Sequence, residues 1–98
     1  MILEVAILNI RPGEEAAFEA VFSRAALILA AARGYISHEL RRSIEHTNQY
    51  ILLVKWQTLE DHNIGFRGSP EYQEWKALLH PFYDPFPTVE HYSTPLSQ

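Results

Sequence analysis

Two short runs of this 98-residue chain are apolar on both faces of an extended backbone, and no other feature limits its fold as much. Ile2 to Ile10 is almost wholly apolar, rich in Ile, Leu and Val, and closed by Pro12-Gly13. A run this short, with that composition and that stop, predicts a buried strand. Side chains alternate along a strand, so Leu3, Val5 and Ile7 share one face while Ile2, Ala6 and Leu8 share the other. Gln49 to Trp56 repeats the pattern, with Ile51 and Leu53 opposite Tyr50, Leu52, Val54 and Trp56.

The remaining segments supply the partners. Glu14 and Glu15 suit the positive start of a helix whose buried face is Phe18, Val21, Phe22, Ala25, Ile28, Leu29 and Ala32. Arg33 in its last turn and Gly34 just beyond are stop signals. Tyr35 to Ser43 alternates, with Ile36, His38, Leu40 and Arg42 on one side and Tyr35, Ser37, Glu39 and Arg41 on the other, which predicts a half-exposed strand. The polar turn Glu45-His46-Thr47-Asn48 joins it to the Gln49 to Trp56 strand as a hairpin.

Thr58 with Asp61 three residues later resembles a capping box and starts a short helix that breaks between Gly65 and Gly68. Ser69-Pro70 starts another, with Tyr72, Trp75, Leu78, Leu79 and Phe82 on one face and Pro81 as its stop. Thr88 to Ser93 reads as a last strand. The order β-α-β-β-α-β predicts an α+β domain of ferredoxin-like type with an antiparallel sheet, a single domain over residues 1–98.

In that topology the two doubly apolar strands are the central ones, and two helices cover only one face of the sheet. An uncovered apolar sheet face invites association. The economical cover is a second copy packed about a two-fold axis, so a homodimer through the sheet face is expected.

Composition narrows the chemistry. Cysteine is absent, which removes disulfides, thiolate zinc sites and a cysteine nucleophile. Eight Lys and Arg against twelve Asp and Glu give a net charge of −4, with no basic run, so neither nucleic acid nor an anionic membrane is an expected partner. No stretch approaches the roughly 18 apolar residues of a membrane span. Met1-Ile2-Leu3-Glu4 lacks the basic start of a signal peptide, and a cytoplasmic location is expected. The five histidines, His38, His46, His62, His80 and His91, form no metal-ligand spacing, so no metal is expected.

Pro12-Gly13 before an amphipathic helix, Gly34 before the second strand, a Tyr50-to-Trp56 strand ending in tryptophan and the Ser69-Pro70-Glu71-Tyr72 helix start resemble the antibiotic biosynthesis monooxygenase (ABM) domain family. Trp75 through Phe82-Tyr83-Asp84-Pro85 to Val89-Glu90-His91-Tyr92 is similar to a bacterial branch of it. The resemblance spans the chain and implies a dimeric α+β barrel, with a pocket in each subunit between sheet and helices. It implies oxidation of an aromatic substrate by O2 with no cofactor. Other members of the family degrade haem, isomerise small molecules or have no known activity. Many members carry a histidine three residues before the Ser-Pro pair, where this chain has Phe66, with His62 one turn earlier. Asn9 fits the first-strand asparagine of the haem-degrading branch, but Lys76 stands where that branch has histidine, which argues against haem degradation.

Each candidate site residue has two readings. His62 is either a neutral base for a phenolic proton or a solvent-facing helix histidine. Asn9 either bonds a substrate carbonyl or ties down the turn before Pro12. Tyr72 offers a hydroxyl to substrate or is a core ring with its hydroxyl at the edge. Arg67 stabilises a developing oxyanion or is a surface charge. Phe66 and Trp75 are walls of a flat aromatic pocket or plain core. One functional expectation is a cofactor-independent monooxygenase of a phenolic, quinol or other aromatic small molecule. The others are a ligand-binding or stress-related protein without turnover, and an isomerase or lyase on the same scaffold. The pocket is expected at the break in the second helix, within reach of His62, Phe66 and Tyr72.

Overall fold

The computed structural model describes residues 1–97. Strand β1 (Ile2–Asn9) leads into helix α1 (Glu15–Ala30), and the hairpin strands β2 (Tyr35–Arg42) and β3 (Gln49–Trp56) follow. A π-helical segment (Asp61–Phe66), helix α2 (Pro70–Leu79), a 3-10 turn (His80–Phe82) and strand β4 (Val89–Tyr92) complete the chain. The sheet order is β2-β3-β1-β4 and every pairing is antiparallel, the ferredoxin-like arrangement.

The parity expected for the central strands holds. Ala6, Leu8, Leu52, Val54 and Trp56 are buried beneath the helices together with Phe18, Phe22, Ala25 and Leu29 of α1 and Trp75 and Leu79 of α2. Leu3, Val5, Ile7, Ile51 and Leu53 point to the other face, where Ile7 is 40% exposed. The register Val5↔Leu53 and Ile7↔Ile51 brings these side chains together as one apolar stripe.

Three local features depart from expectation, each for a visible reason. Helix α1 ends at Ala30, before Arg33. The chain there tightens into three-residue steps, Ala31 N–H to Ile28 O and Ala32 N–H to Leu29 O, before Gly34 turns it at φ +83°. A β-bulge between Tyr35 and Ser37 breaks the simple alternation of β2. Tyr35 consequently lies on the helix side, edge-on to Trp56, with its hydroxyl 2.6 Å from His38 Nδ1.

The third departure bears on function. Thr58 Oγ1 accepts the Asp61 N–H as the sequence implies, but the turn that follows is π-helical, with Arg67 N–H bonded to His62 O. The wider turn is closed by Gly68, where a Cβ would lie 2.5 Å from the Ile64 carbonyl oxygen. Gly65 has no such crowding, so only one of the two glycines is sterically required. Ser69 then restarts the chain as expected. Its Oγ accepts the Tyr72 N–H and donates to Phe66 O.

Candidate functional site

Beneath the π-helical segment, the buried face of the sheet carries one residue that breaks its apolar pattern. Glu4 shares parity with Ala6 and Leu8, and it is only 7% exposed. The Trp56 indole N–H donates to Glu4 Oε1 at 2.9 Å. His62, 3% exposed, lies above, its Nε2 3.3 Å from the same oxygen. Its Nδ1 is 2.8 Å from Nε2 of His91. His91 stands opposite Glu4 on the neighbouring strand β4 and is half-buried. Carboxylate and two imidazoles thus form a short chain running from the interior to the sheet edge.

Aromatic rings wall this chain in. The His62 ring stacks on Trp56, with centroids 5.2 Å apart and planes at 22°, and the Phe66 ring lies 6.5 Å from it at 26°. His62 and Phe66, four apart, share the inward face of the π-helical segment, as residues at that spacing also do in an α-helix.

The surroundings decide the protonation states. Burial, then the Arg67 guanidinium, then His91, push the His62 pKa down to about 3, so the imidazole is neutral at neutral pH. Burial and Arg67 lower His91 as well. Glu4 moves the other way: burial raises its pKa, against the pull of the Trp56 N–H and Arg67. Tyr83, buried nearby, has its phenol pushed well above the ordinary range by burial and by the charges of Tyr72 and Glu4. A weakened acid beside a weakened base, in apolar walls, is an arrangement suited to moving protons.

The residues singled out from sequence divide between regions. His62 is buried and not solvent-facing, and Phe66 stacks against it. Arg67 is exposed at the end of the π-helical segment, close enough for its charge to act on Glu4, His62 and His91. Tyr72 is half-buried, edge-on to Phe66 at 5.4 Å. Trp75 is 7% exposed and wedged between Phe22 and Phe66, a core position. Asn9 is not brought to His62 at all. Its parity is that of Leu3 and Ile7, so it lies on the bare face, and its Oδ1 accepts from Gln49 Nε2. Its own carbonyl holds the Asp84 N–H, a turn-tying role.

A cavity of about 420 Å³ does open where the second helix is interrupted, lined by Ile28, Ala32, Gly65, Phe66, Ser69 and Glu71 among others. Of the expected trio it is lined by Phe66 but by neither His62 nor Tyr72. Glu4 and His91 were missed in the sequence. For Glu4 a signal existed, a carboxylate at a buried parity. For His91 there was none beyond its alternation with Val89.

Fold and site define a ferredoxin-like α+β domain with a buried carboxylate–imidazole chain. Residues 1–78 match the antibiotic biosynthesis monooxygenase family, and the chain belongs to that family. It is 59% identical over 92 residues to the uncharacterized protein YczJ of Bacillus subtilis, covering 94% of this chain and 97% of that one. The crystal structure of a family protein from Bordetella bronchiseptica superposes with a TM-score of 0.92 at 38% identity, covering 97% of each chain. SnoaB of Streptomyces nogalater, a cofactor-independent oxygenase, shares the fold at a TM-score of 0.84 and 20% identity, with 98% of this chain and 94% of that one covered. Among the described residues no helix is long and apolar enough to cross a membrane.

Proposed function

We propose that this protein is a cofactor-independent monooxygenase of a phenolic, quinol or related aromatic small molecule, acting as a homodimer joined through the bare sheet face. The observation that carries the activity is the neutral, buried His62 between Glu4 and His91. Family membership and the cofactor-independent oxygenase SnoaB on the same fold support it. Removing the proton from an electron-rich phenol leaves an anion that can give one electron to O2. The resulting radical pair joins through a C–O bond to a peroxide anion, which takes the abstracted proton back, and the hydroperoxide loses water together with the hydrogen of the same carbon to leave a carbonyl. The protein's part is to accept the proton, stabilise the oxyanion and exclude water.

In this reading His62 belongs to the base, Arg67 faces the developing oxyanion, Tyr72 offers a hydroxyl and Phe66 is the aromatic wall. The positions of Asn9 and Trp75 leave them outside it. The dimer rests on the stripe of Leu3, Val5, Ile7, Ile51 and Leu53, which the helices do not cover. The mainly apolar cavity beyond Phe66 favours a second reading, binding without turnover. Oxygen uptake measured over hydroxyquinols, anthrones and naphthols separates the two. Turnover above solution autoxidation, lowered ~100-fold or more in His62→Ala, is the expected result. Ligand binding with no uptake would establish the second reading, and uptake unchanged in His62→Ala would remove His62 from the chemistry.

A further inference from the structure

His62 is a poor resting place for an added proton. It is buried in aromatic rings, and an imidazolium there would sit beside Arg67 with little water to solvate it. The geometry supplies another destination. We infer that Glu4 is the proton acceptor of this site, reached from the sheet edge through His91 and His62 in series, and that the substrate class is an aromatic molecule with an acidic hydroxyl that meets His91. This rests on the proton-handling reading of the site given above.

The transfer balances without forming a buried cation. With Glu4 ionised, His62 carries its hydrogen on Nε2, towards Glu4 Oε1, and His91 carries its own on Nε2, towards His62 Nδ1. Nδ1 of His91 is then a bare acceptor, and no hydrogen bond from the described residues occupies it. The substrate O–H bond breaks and Nδ1–H of His91 forms. The Nε2 hydrogen of His91 moves to Nδ1 of His62, and the Nε2 hydrogen of His62 moves to Glu4. Both rings end neutral in the opposite tautomer, and the carboxyl holds the proton. The 3.3 Å contact between His62 and Glu4 must shorten for the last step, as catalytic contacts commonly do once substrate is bound.

The charged and titratable groups around the chain fit this course. From β3, Trp56 holds Glu4 in place by its N–H. Arg67, after the π-helical segment, disfavours an imidazolium on either histidine and faces the new oxyanion. Tyr83 lies near Glu4, and its phenol, held far above its usual pKa, stays neutral and does not compete for the proton's place. Burial makes Glu4 a stronger proton acceptor than an exposed carboxylate. Glu4 acts through the two rings and is a positioning and storage residue. His91 is the catalytic one.

Nitrogen-15 NMR of the histidine rings of the whole protein, with carbon-13 detection of the Glu4 carboxyl, tests this on the resting protein across a pH series. One titration should protonate the Glu4 carboxyl and switch both His62 and His91 to the opposite tautomer together, with neither becoming imidazolium in that step. In Glu4→Gln the amide oxygen must take the place of Oε1, because the Trp56 N–H donates to that same atom, and it goes on accepting from His62 Nε2. Both rings should then be locked in the first tautomer at every pH. For any phenol that is turned over, kcat should fall ~10-fold or more in Glu4→Gln with KM little changed. His91→Gln, at a half-exposed position, should show the same kcat loss. An imidazolium forming on His91 or His62 while Glu4 stays ionised would overturn the inference, as would tautomers that ignore Glu4. Coupled tautomers with no oxygen uptake for any phenol would uphold the relay and sink the oxygenase reading instead.

Discussion

The two faces of the sheet invert the usual assignment of polarity. The face under the helices is the dry one, yet it holds Glu4 and the two histidines that approach it. The bare face is the open one, yet its centre is Leu3, Val5, Ile7, Ile51 and Leu53. Buried polar groups and exposed apolar ones both cost free energy unless something compensates. On the covered face the compensation is internal, because the Trp56 N–H and His62 both meet Glu4, and His91 meets His62. On the bare face nothing among the described residues supplies it. The proposed chemistry thus draws on one chain, and the proposed dimer on two.

The largest effect should come from breaking the bare face. Leu53→Glu would bury a carboxylate twice in a two-fold dimer, at about 3–5 kcal/mol for each unpaired charge. Sedimentation at micromolar concentration should show twice the chain mass for the wild type, and a monomer or an unfolded chain for the variant. A wild type that sediments as a monomer would end the dimer proposal. Next comes the covered face. Leu8→Ala removes a side chain that is 1% exposed and should cost about 3 kcal/mol in urea unfolding, whether or not the sheet faces are paired. A cost as small as that of a surface substitution would mean that the core rearranges around the gap.

A change of pH addresses the polar chain itself. His62 has its pKa pushed down to about 3 from an ordinary 6.5, so between those values the unfolded chain binds a proton that the folded chain refuses. Stability should rise with pH through that window and fall as pH drops below about 6.5. Glu4 opposes this. Its pKa is raised from 4.5, so the stability it adds in protonated form is lost as pH rises through its folded value. Urea midpoints measured at a series of pH values should fall on acidification in the wild type and fall less steeply in His62→Gln. Identical slopes would show that the imidazole is already solvated. The smallest effect is expected from Tyr72→Phe. No hydrogen bond from the described residues holds the hydroxyl, so thermal unfolding should move by under about 0.5 kcal/mol. A loss near 1 kcal/mol or more with ligand binding intact would make that hydroxyl structural.

What the sequence determined is what nearest neighbours along the chain encode. The parity of Ile2 to Ile10 and of Gln49 to Trp56, the face of α1 and the Ser69-Pro70 start follow from periods of two and of about 3.6 residues and from single capping groups. These local rules sufficed for the order of elements, the topology and the bare stripe. They also placed Glu4 on the buried face, had its parity been followed. The site escaped them because its parts come from β1, β3, the π-helical segment and β4, with Glu4 and Trp56 52 positions apart and His62 and His91 29 positions apart. No spacing signature spans such distances. The π-helical winding of the segment that carries His62, closed by Gly68 against the Ile64 carbonyl, is one that an apolar period cannot distinguish from an α-helical one. Only the packed sheet, by setting β4 beside β1 and the π-helical segment above both, decided that a carboxylate and two imidazoles would share one line.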